Sequence, residues 1–287
     1  MNDDEFQVAE AAMREHGDES VDARRSPAPA GARVVAGVRP FIAAQFMVAV
    51  GSVDAEGTAW ASLLFGKPGF VRSGDGAAIQ IDTPLKERDL ADPVWDNIAP
   101  GAELGLLFID LATRQRCRVN GAVQRLDRRG TEIAVRDVGP HCPRHGAQHV
   151  LRQLGEPRLP VQTAHGTLVR GAIERIVSRA DGLFVAGRGT HISHHGGHAG
   201  FVTLAGPGVL RMPAAAGDRP DDLLGRSGNQ GRAGICIPDF DHGQVLQLTG
   251  HARSHDPGAG STQGYWEFAV ERWILRDMPR ALAWEAA

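Results

Sequence analysis

The strongest constraint on this chain is that it repeats itself. The segment ASLLFGKPGFV at 61–71 lies beside ISHHGGHAGFV at 192–202, so that Ser62 and Ser193 stand 131 residues apart, as do Phe70 and Phe201. GLLFIDLATRQRCRVNGAV from Gly105 matches GICIPDFDHGQVLQLTGHA from Gly234, where Asp110 and Asp239, and Gly121 and Gly250, stand 129 apart. Two near-equal spacings carrying the same strand–turn–strand phrases, in the same order, exceed what unrelated β sequences share. The chain reads as an internal duplication.

Each copy is built from short apolar or alternating runs punctuated by Gly, Asp and Pro. FMVAVGSV, AWASLLF, GFVRS, AAIQID, ELGLLFIDL and RCRVNGAVQRL form the first group; GLFVAG, GFVTLAG, GVLRMP, AGICIPDF, QVLQLTGHARS and YWEFAVERWIL form the second. That is the signature of meandering antiparallel β structure. A polar loop with a helix is expected over Pro140–Gln153, and GAIERIVSRA reads as a helix between the copies. Glu5–His16 can form a short amphipathic helix, and the proline-bearing stretch after it reads as a linker. The expected domains are therefore 1–33 as helix and linker, 34–153 as the first unit, and 154–287 as the second. A small open sheet leaves an apolar face uncovered, and fusing two copies makes the covering partner intramolecular.

Composition bounds the partners. A formal net charge of −3 gives no footprint for nucleic acid or an acidic membrane, and no run approaches the length of a membrane span. Cys117, Cys142 and Cys236 are few, odd in number and dispersed, which fits a reducing compartment and not a disulfide framework. The acidic N-terminus MNDDEFQVAE lacks the order of a secretory signal, so a cytoplasmic location is expected.

The phrases WASLLFGKPGFVRS, GLLFIDLATRQRCRVNG, VGPHCPRHGAQ, ADGLFVAG, HISHHGGHAGFV, GDRPDDLLGRSGN and LQLTGHA resemble the tandem branch of the pyridoxamine 5'-phosphate oxidase-like, FMN-binding split-barrel family. The resemblance runs from about Val34 to Trp284. It implies a mainly β (α+β) fold of two tandem split β-barrel domains forming an intramolecular pseudo-dimer. It also implies an FMN site at the seam between the halves. A site at such a seam is built from unlike halves, so one of two pseudo-equivalent sites can decay while the other is kept.

Within HISHHGGHAGFV, the four histidines 191, 194, 195 and 198 would suit zinc on one helix face, but the glycine pair points to strand and turn. No metal is therefore expected. An exposed turn is one reading; the resemblance implies another, a flavin-phosphate edge of Ser193, His194 and the glycine amides, Gly197 included. His195 stands where the family has arginine. In GDRPDDLLGRSGN, Asp218 and Asp222 replace family residues and would repel phosphate unless Arg219 and Arg226 compensate; Arg211 on the preceding strand is a further candidate.

In RQRCRVNG, strand alternation puts Arg116, Arg118 and Asn120 on one face and Cys117 and Val119 on the other. Two guanidinium groups and an amide suit an anionic ligand or the polar edge of a flavin; a solvated strand face is the plainer alternative. Cys142, flanked by His141 and His145, could serve as a thiolate or a metal ligand, or be an ordinary loop cysteine.

The expected function is an FMN-dependent oxidoreductase with no assigned catalytic acid or base, acting on a small molecule. The alternative is a flavin-free split barrel binding haem or another small anionic ligand. A third reading is a structural partner of a separate reductase, and the protein is expected as a pseudo-two-fold monomer or a homodimer.

Overall fold

Several of the apolar runs are too continuous for strands with one wet face, and the structure explains them. In the computed structural model, residues 33–113, 115–140, 149–187, 191–214, 230–255 and 264–286 are described. The helix expected at Glu5–His16, the Cys142 loop and the Arg219–Arg226 phrase lie outside those residues.

The chain is mainly β. The first sheet uses β1 (Met47–Val53), β2 (Ala59–Phe65), β3 (Val71–Arg72), β4 (Ala78–Asp82), β5 (Glu103–Ile109), β6 (Arg116–Leu126) and β7 (Gly130–Pro140). β8 (His149–Pro157) and β9 (Thr163–Gly166) follow. The second sheet uses β10 (Gly182–Ala186), β11 (Ile192–Gly196), β12 (Thr203–Gly206), β13 (Val209–Pro213), β14 (Gln230–Asp239), β15 (Gln244–His255) and β16 (Tyr265–Asp277), and β17 (Arg280–Ala286) closes the described chain. Strand order is β2-β1-β5-β6-β7-β4-β3 in one sheet and β11-β10-β14-β15-β16-β13-β12 in the other. Position for position, these orders are the same.

The register repeats as well. Ser62 faces Val50 across β1 and β2, and Ser193 faces Val185 across β10 and β11. Gly105 pairs with Asn120 while Gly234 pairs with Thr249, and on the other side of β6 and of β15 the ladder to the next strand is interrupted by a bulge at the equivalent place, Asn120/Gly121 and Thr249/Gly250. A Cβ on Gly121 would lie 2.2 Å from the Ala134 carbonyl oxygen, and one on Gly250 would lie 2.0 Å from that of Ala269. Both bulges thus require glycine for the same close approach.

Three apolar clusters result. Val48, Val50, Leu64, Leu106 and Val119 lie in the core of the first half. Leu183, Val185, Ile235, Leu248 and Phe268 lie in that of the second. The third joins the halves: Met47, Ala49, Ala61, Leu63 and Leu107 meet Phe184, Ala186, Ile192, Cys236 and Val245. Strands β1, β2 and β10 therefore bury both faces, one in their own core and one in the seam, which is why their sequences run apolar without alternation.

Helices are few. α1 (Arg39–Ala44) begins with proline in its first turn and buries Ile42 in the first core; α2 (Val94–Asn97) is a single turn. α3 (Ala172–Arg179), expected from its sequence, buries Ile173, Ile176 and Val177 at i, i+3 and i+4 in the second core.

The ends of the 140–153 stretch, read as a polar loop and possible helix, are strand: Pro140 ends β7 and 149–153 begin β8, while 141–148 lie outside the described residues. The boundary drawn between 153 and 154 consequently falls inside β8, which pairs with β17 apart from both large sheets. β7 itself carries Glu132, Arg136 and Asp137, which masked a strand whose other face holds the buried Ile133.

Candidate functional site

The repeated register defines two pseudo-equivalent seams. Arg118 faces Leu107 across β5 and β6, and Gln247 faces Cys236 across β14 and β15, so Arg118 and Gln247 occupy matching positions. Asn120 and Thr249 match likewise. What surrounds these pairs differs.

At the seam of β15 against β2, a polar network is saturated. Gln247 Nε2 donates to the Ala61 carbonyl and to Ser62 Oγ, both at 2.9 Å, and Thr249 Oγ1 donates to the Ala59 carbonyl at 3.1 Å. Ser62 Oγ donates to Asp92 Oδ1 at 2.6 Å. Arg276, 2% exposed, donates through Nε to Gln247 Oε1 at 3.0 Å, through Nη2 to Asp92 Oδ2 at 2.6 Å, and through Nη1 to Asp89. A guanidinium from the second half is thus clamped by two carboxylates of the first. Burial pushes the Asp92 carboxyl up to about 6, against the hydrogen bonds from Ser62, the Val94 amide and Gln247. This seam is structural.

At the other seam, where β5 meets β11 and β6 runs beside His191, the residue before β11, the same positions carry different chemistry. Alternation sends Cys117 and Val119 into the first core. It puts Arg116, Arg118 and Asn120 on the other face. Arg118 Nη1 donates to His191 Nδ1 at 3.0 Å, joining the halves. Asn120 Nδ2 donates to Asp137 Oδ2 at 3.2 Å. Arg118 Nε and Asn120 Oδ1 are buried and have no hydrogen-bond partner among the described residues, which leaves one donor and one acceptor without the compensation that burial demands. Arg116 is also buried. His191 is held down to about 3, first by burial and then by the charges of Arg118 and His195. It is therefore a neutral imidazole that accepts at Nδ1 and carries its proton on Nε2.

The phosphate-side residues implied by the resemblance do not converge. In β11, Ser193 Oγ and His195 Nε2 share a hydrogen bond at 3.0 Å on one face, and His195 lines a cavity of about 20 Å³ with Val185, Ile235 and Phe268. His194 lies on the opposite face, its ring 5.0 Å from that of Phe184 in the seam cluster. A strand separates neighbours that a contiguous reading of HISHHGG groups together. The Gly197 amide donates to the Asp181 carbonyl at 2.9 Å, and a Cβ there would lie 2.6 Å from Phe201. Gly197 thus serves the turn and the packing of Phe201, as Gly66 serves Phe70 in the first copy. Arg211 is paired with Glu267 at 2.7 Å and lies over the Tyr265 ring. Arg219 lies outside the described residues.

Other sequence candidates are quiet. Burial pushes the Cys117 thiol up to about 12 and that of Cys236 well above its ordinary value, so neither is a ready nucleophile. Among the described residues, no group of three or more His, Cys, Asp or Glu side chains is placed to hold a metal ion. No described helix is long and apolar enough to cross a membrane. Sequence reasoning missed Arg276, Asp89 and Asp92; the signal available was the alignment of Gln247 under Arg118, which marks the seam where a charge has been replaced.

No family model matches this chain, and no curated protein matches it. Among solved structures, the chain is similar to the Bacillus subtilis inhibitor of motility MotI/DgrA at 9% identity and a TM-score of 0.24, over 78% of this chain and 86% of that one. It is similar to the K. pneumonia MrkH–c-di-GMP complex at 9% identity and a TM-score of 0.24, over 79% of this chain and 78% of that one. Similarity at this level carries no inference about ligand.

Proposed function

We propose that the chain is a tandem split-barrel protein of the pyridoxamine 5'-phosphate oxidase-like type, an intramolecular pseudo-dimer. In this reading it binds FMN at the seam where β6 runs beside His191 and acts as an oxidoreductase. The observation that carries the reading is the asymmetry of the seams. One is closed by its own ion pairs, and the other presents a buried donor, Arg118 Nε, and a buried acceptor, Asn120 Oδ1, on the same strand face without partners among the described residues. The pyrimidine edge of a flavin alternates carbonyl acceptors with an N–H donor and complements such a face. When bound, FMN supplies hydride and electron transfer at N5. The residues of this chain orient and tune: Arg118 and Arg116 favour negative charge near the ring edge, Asn120 accepts from the ring N–H, and neutral His191 fixes the Arg118 guanidinium.

The test is a visible spectrum of the purified protein followed by FMN titration. Bound FMN should lose fluorescence on binding, and Arg118→Ala should weaken binding about tenfold or more, the order expected for one charge-assisted hydrogen bond. A colourless protein that leaves FMN emission unchanged removes the flavin reading. A second reading, a flavin-free split barrel holding haem or another small anion at the same seam, is favoured by the divergence of Ser193 and His195 from His194. A Soret band on adding haem, with no response to FMN, would select its haem form.

A further inference from the structure

Away from the seam, the β6–β7 hairpin turn and strands β3 and β4 enclose a depression of about 540 Å³. Four guanidinium groups line it, from Arg72, Arg125, Arg128 and Arg129, with two carboxylates, Asp82 and Asp127. The carboxylates are already spoken for: Arg72 pairs with Asp82, and Arg125 with Asp127. Glu132, behind the lining, accepts from Arg125 at 3.3 Å and from Gln80 at 3.4 Å. Arg128 and Arg129 form no ion pair and no side-chain hydrogen bond among the described residues. With Glu132 counted, four guanidinium groups stand against three carboxylates, and the two arginines outside those pairs, Arg128 and Arg129, carry the surplus positive charge in a chain whose net charge is −3.

Those two arginines sit on a turn that is fixed in advance. Asp127 Oδ1 accepts from the Arg129 amide at 2.7 Å and from the Gly130 amide at 3.1 Å. The Asp127 amide donates to the Gly130 carbonyl at 3.0 Å, and the Arg128 carbonyl accepts from the Leu85 amide at 2.9 Å. Arg88, itself buried, holds the Asp127 carbonyl and the Thr83 carbonyl. Ordering of the loop is therefore not a cost that a ligand must meet on binding. The volume lies within the range of small-molecule sites. A nucleic acid would instead need an extended basic stripe, and this face is interrupted by Asp82, Asp127 and Glu132.

We infer that this depression is a second ligand site, one that takes the dianionic phosphate group of a small phosphate monoester between Arg128 and Arg129. It is independent of the flavin reading, because none of its residues belongs to the seam.

The test is calorimetric titration at low ionic strength in phosphate-free buffer, with inorganic phosphate and ribose 5-phosphate as separate probes. One saturable site is expected, weakened about tenfold or more in Arg128→Ala/Arg129→Ala, since each guanidinium removed costs a charge-assisted hydrogen bond. Affinity for ribose 5-phosphate should also fall as pH drops below about 6, where the monoester loses its second charge. Tighter binding of ribose 5-phosphate than of inorganic phosphate identifies a sugar-phosphate ligand; equal binding identifies the phosphate group alone as the ligand. FMN is itself a phosphate monoester and can enter both sites, so the flavin reading is followed here with riboflavin, which lacks the phosphate. The double variant should leave its fluorescence loss unchanged and Arg118→Ala should weaken it, so failure here and failure of the flavin reading are separable. Absence of saturation up to about 10 mM, where affinity would be too weak to matter, overturns the inference. So does equal binding by the double variant, or preferential binding of a single-stranded oligonucleotide.

Discussion

Arg118 acts on His191 in two ways: it donates a hydrogen bond to Nδ1 at 3.0 Å, and its charge opposes protonation of the ring. With burial as the largest cause, the imidazole is held down to about 3. The sign of the linkage follows. Between the ordinary value of 6.5 and about 3, the unfolded chain binds a proton that the native state refuses, so stability is lost as pH falls through that window. The loss is at most about 1.4 kcal/mol per pH unit. Nitrogen-detected imidazole spectra should show His191 neutral at pH 5, protonated only on Nε2. Arg118→Gln, which keeps a donor and removes the charge, should move its titration upward. A wild-type His191 titrating near 6.5 would break the proposed contact. The alternation in RQRCRVNG was legible in the sequence, because a strand's period of two acts within eight residues. The partner was not, because a pairing between residues 73 apart leaves no local pattern.

The same separation governs what could be read of the elements. The apolar runs of β1, β2, β5, β10 and β14 announce themselves, whereas β7 and β8 carry charges or turn residues and become strands through their partners. Nothing in YWEFAVERWILRD marks Arg276 as buried. That depends on β15 presenting Gln247 and on the first half delivering Asp89 and Asp92. The consequence of this network is a pH dependence opposite in sign to that of His191. Two buried carboxylates share one guanidinium, and burial raises Asp92 from 3.8 to about 6. A carboxyl whose native pKa exceeds its unfolded one stabilises while protonated, so this contribution is full below about 4 and is lost as pH rises through 6. Its size is on the order of 3 kcal/mol. Chemical denaturation of wild type and Asp92→Asn from pH 4 to pH 7 should give diverging curves, the wild type losing stability relative to the variant as pH rises. Parallel curves would mean that Asp92 is ionised throughout. Arg276→Met, by contrast, leaves both carboxylates buried without their cation and should cost about 3–5 kcal/mol.

At the scale of the whole molecule, the repeat makes the halves alike and the seam makes them interdependent. The shared cluster places Leu107 and Ala61 of one half against Cys236 and Ile192 of the other. Arg232 Nη1 reaches Thr58 Oγ1 at 3.1 Å, and the Arg276 network crosses the same boundary. The approach is closest at Gly234, where a Cβ would lie 2.5 Å from the Ala59 carbonyl oxygen and 2.7 Å from the Trp60 Cα. Both contacts are with backbone, so no side-chain rotation relieves them. Its counterpart in the first copy, Gly105, pairs with Gly51, and a Cβ on Gly51 would meet the His191 carbonyl oxygen at 3.3 Å. β14 packs more extensively on β2 than its counterpart β5 packs on β11, so the two seams differ in closeness as well as in charge, and the looser one holds the proposed ligand face. Gly234→Val should wedge the tighter seam, lowering stability by about 2–3 kcal/mol or more, as overpacking does. If the halves fold as one unit, unfolding remains a single transition, and amides in β6 and β15 lose hydrogen-exchange protection by equal amounts. Loss confined to β15, with β6 untouched, would show two independently stable halves; the seam would then be too weak to hold Arg118 against His191, and the ligand face proposed there would have no fixed geometry.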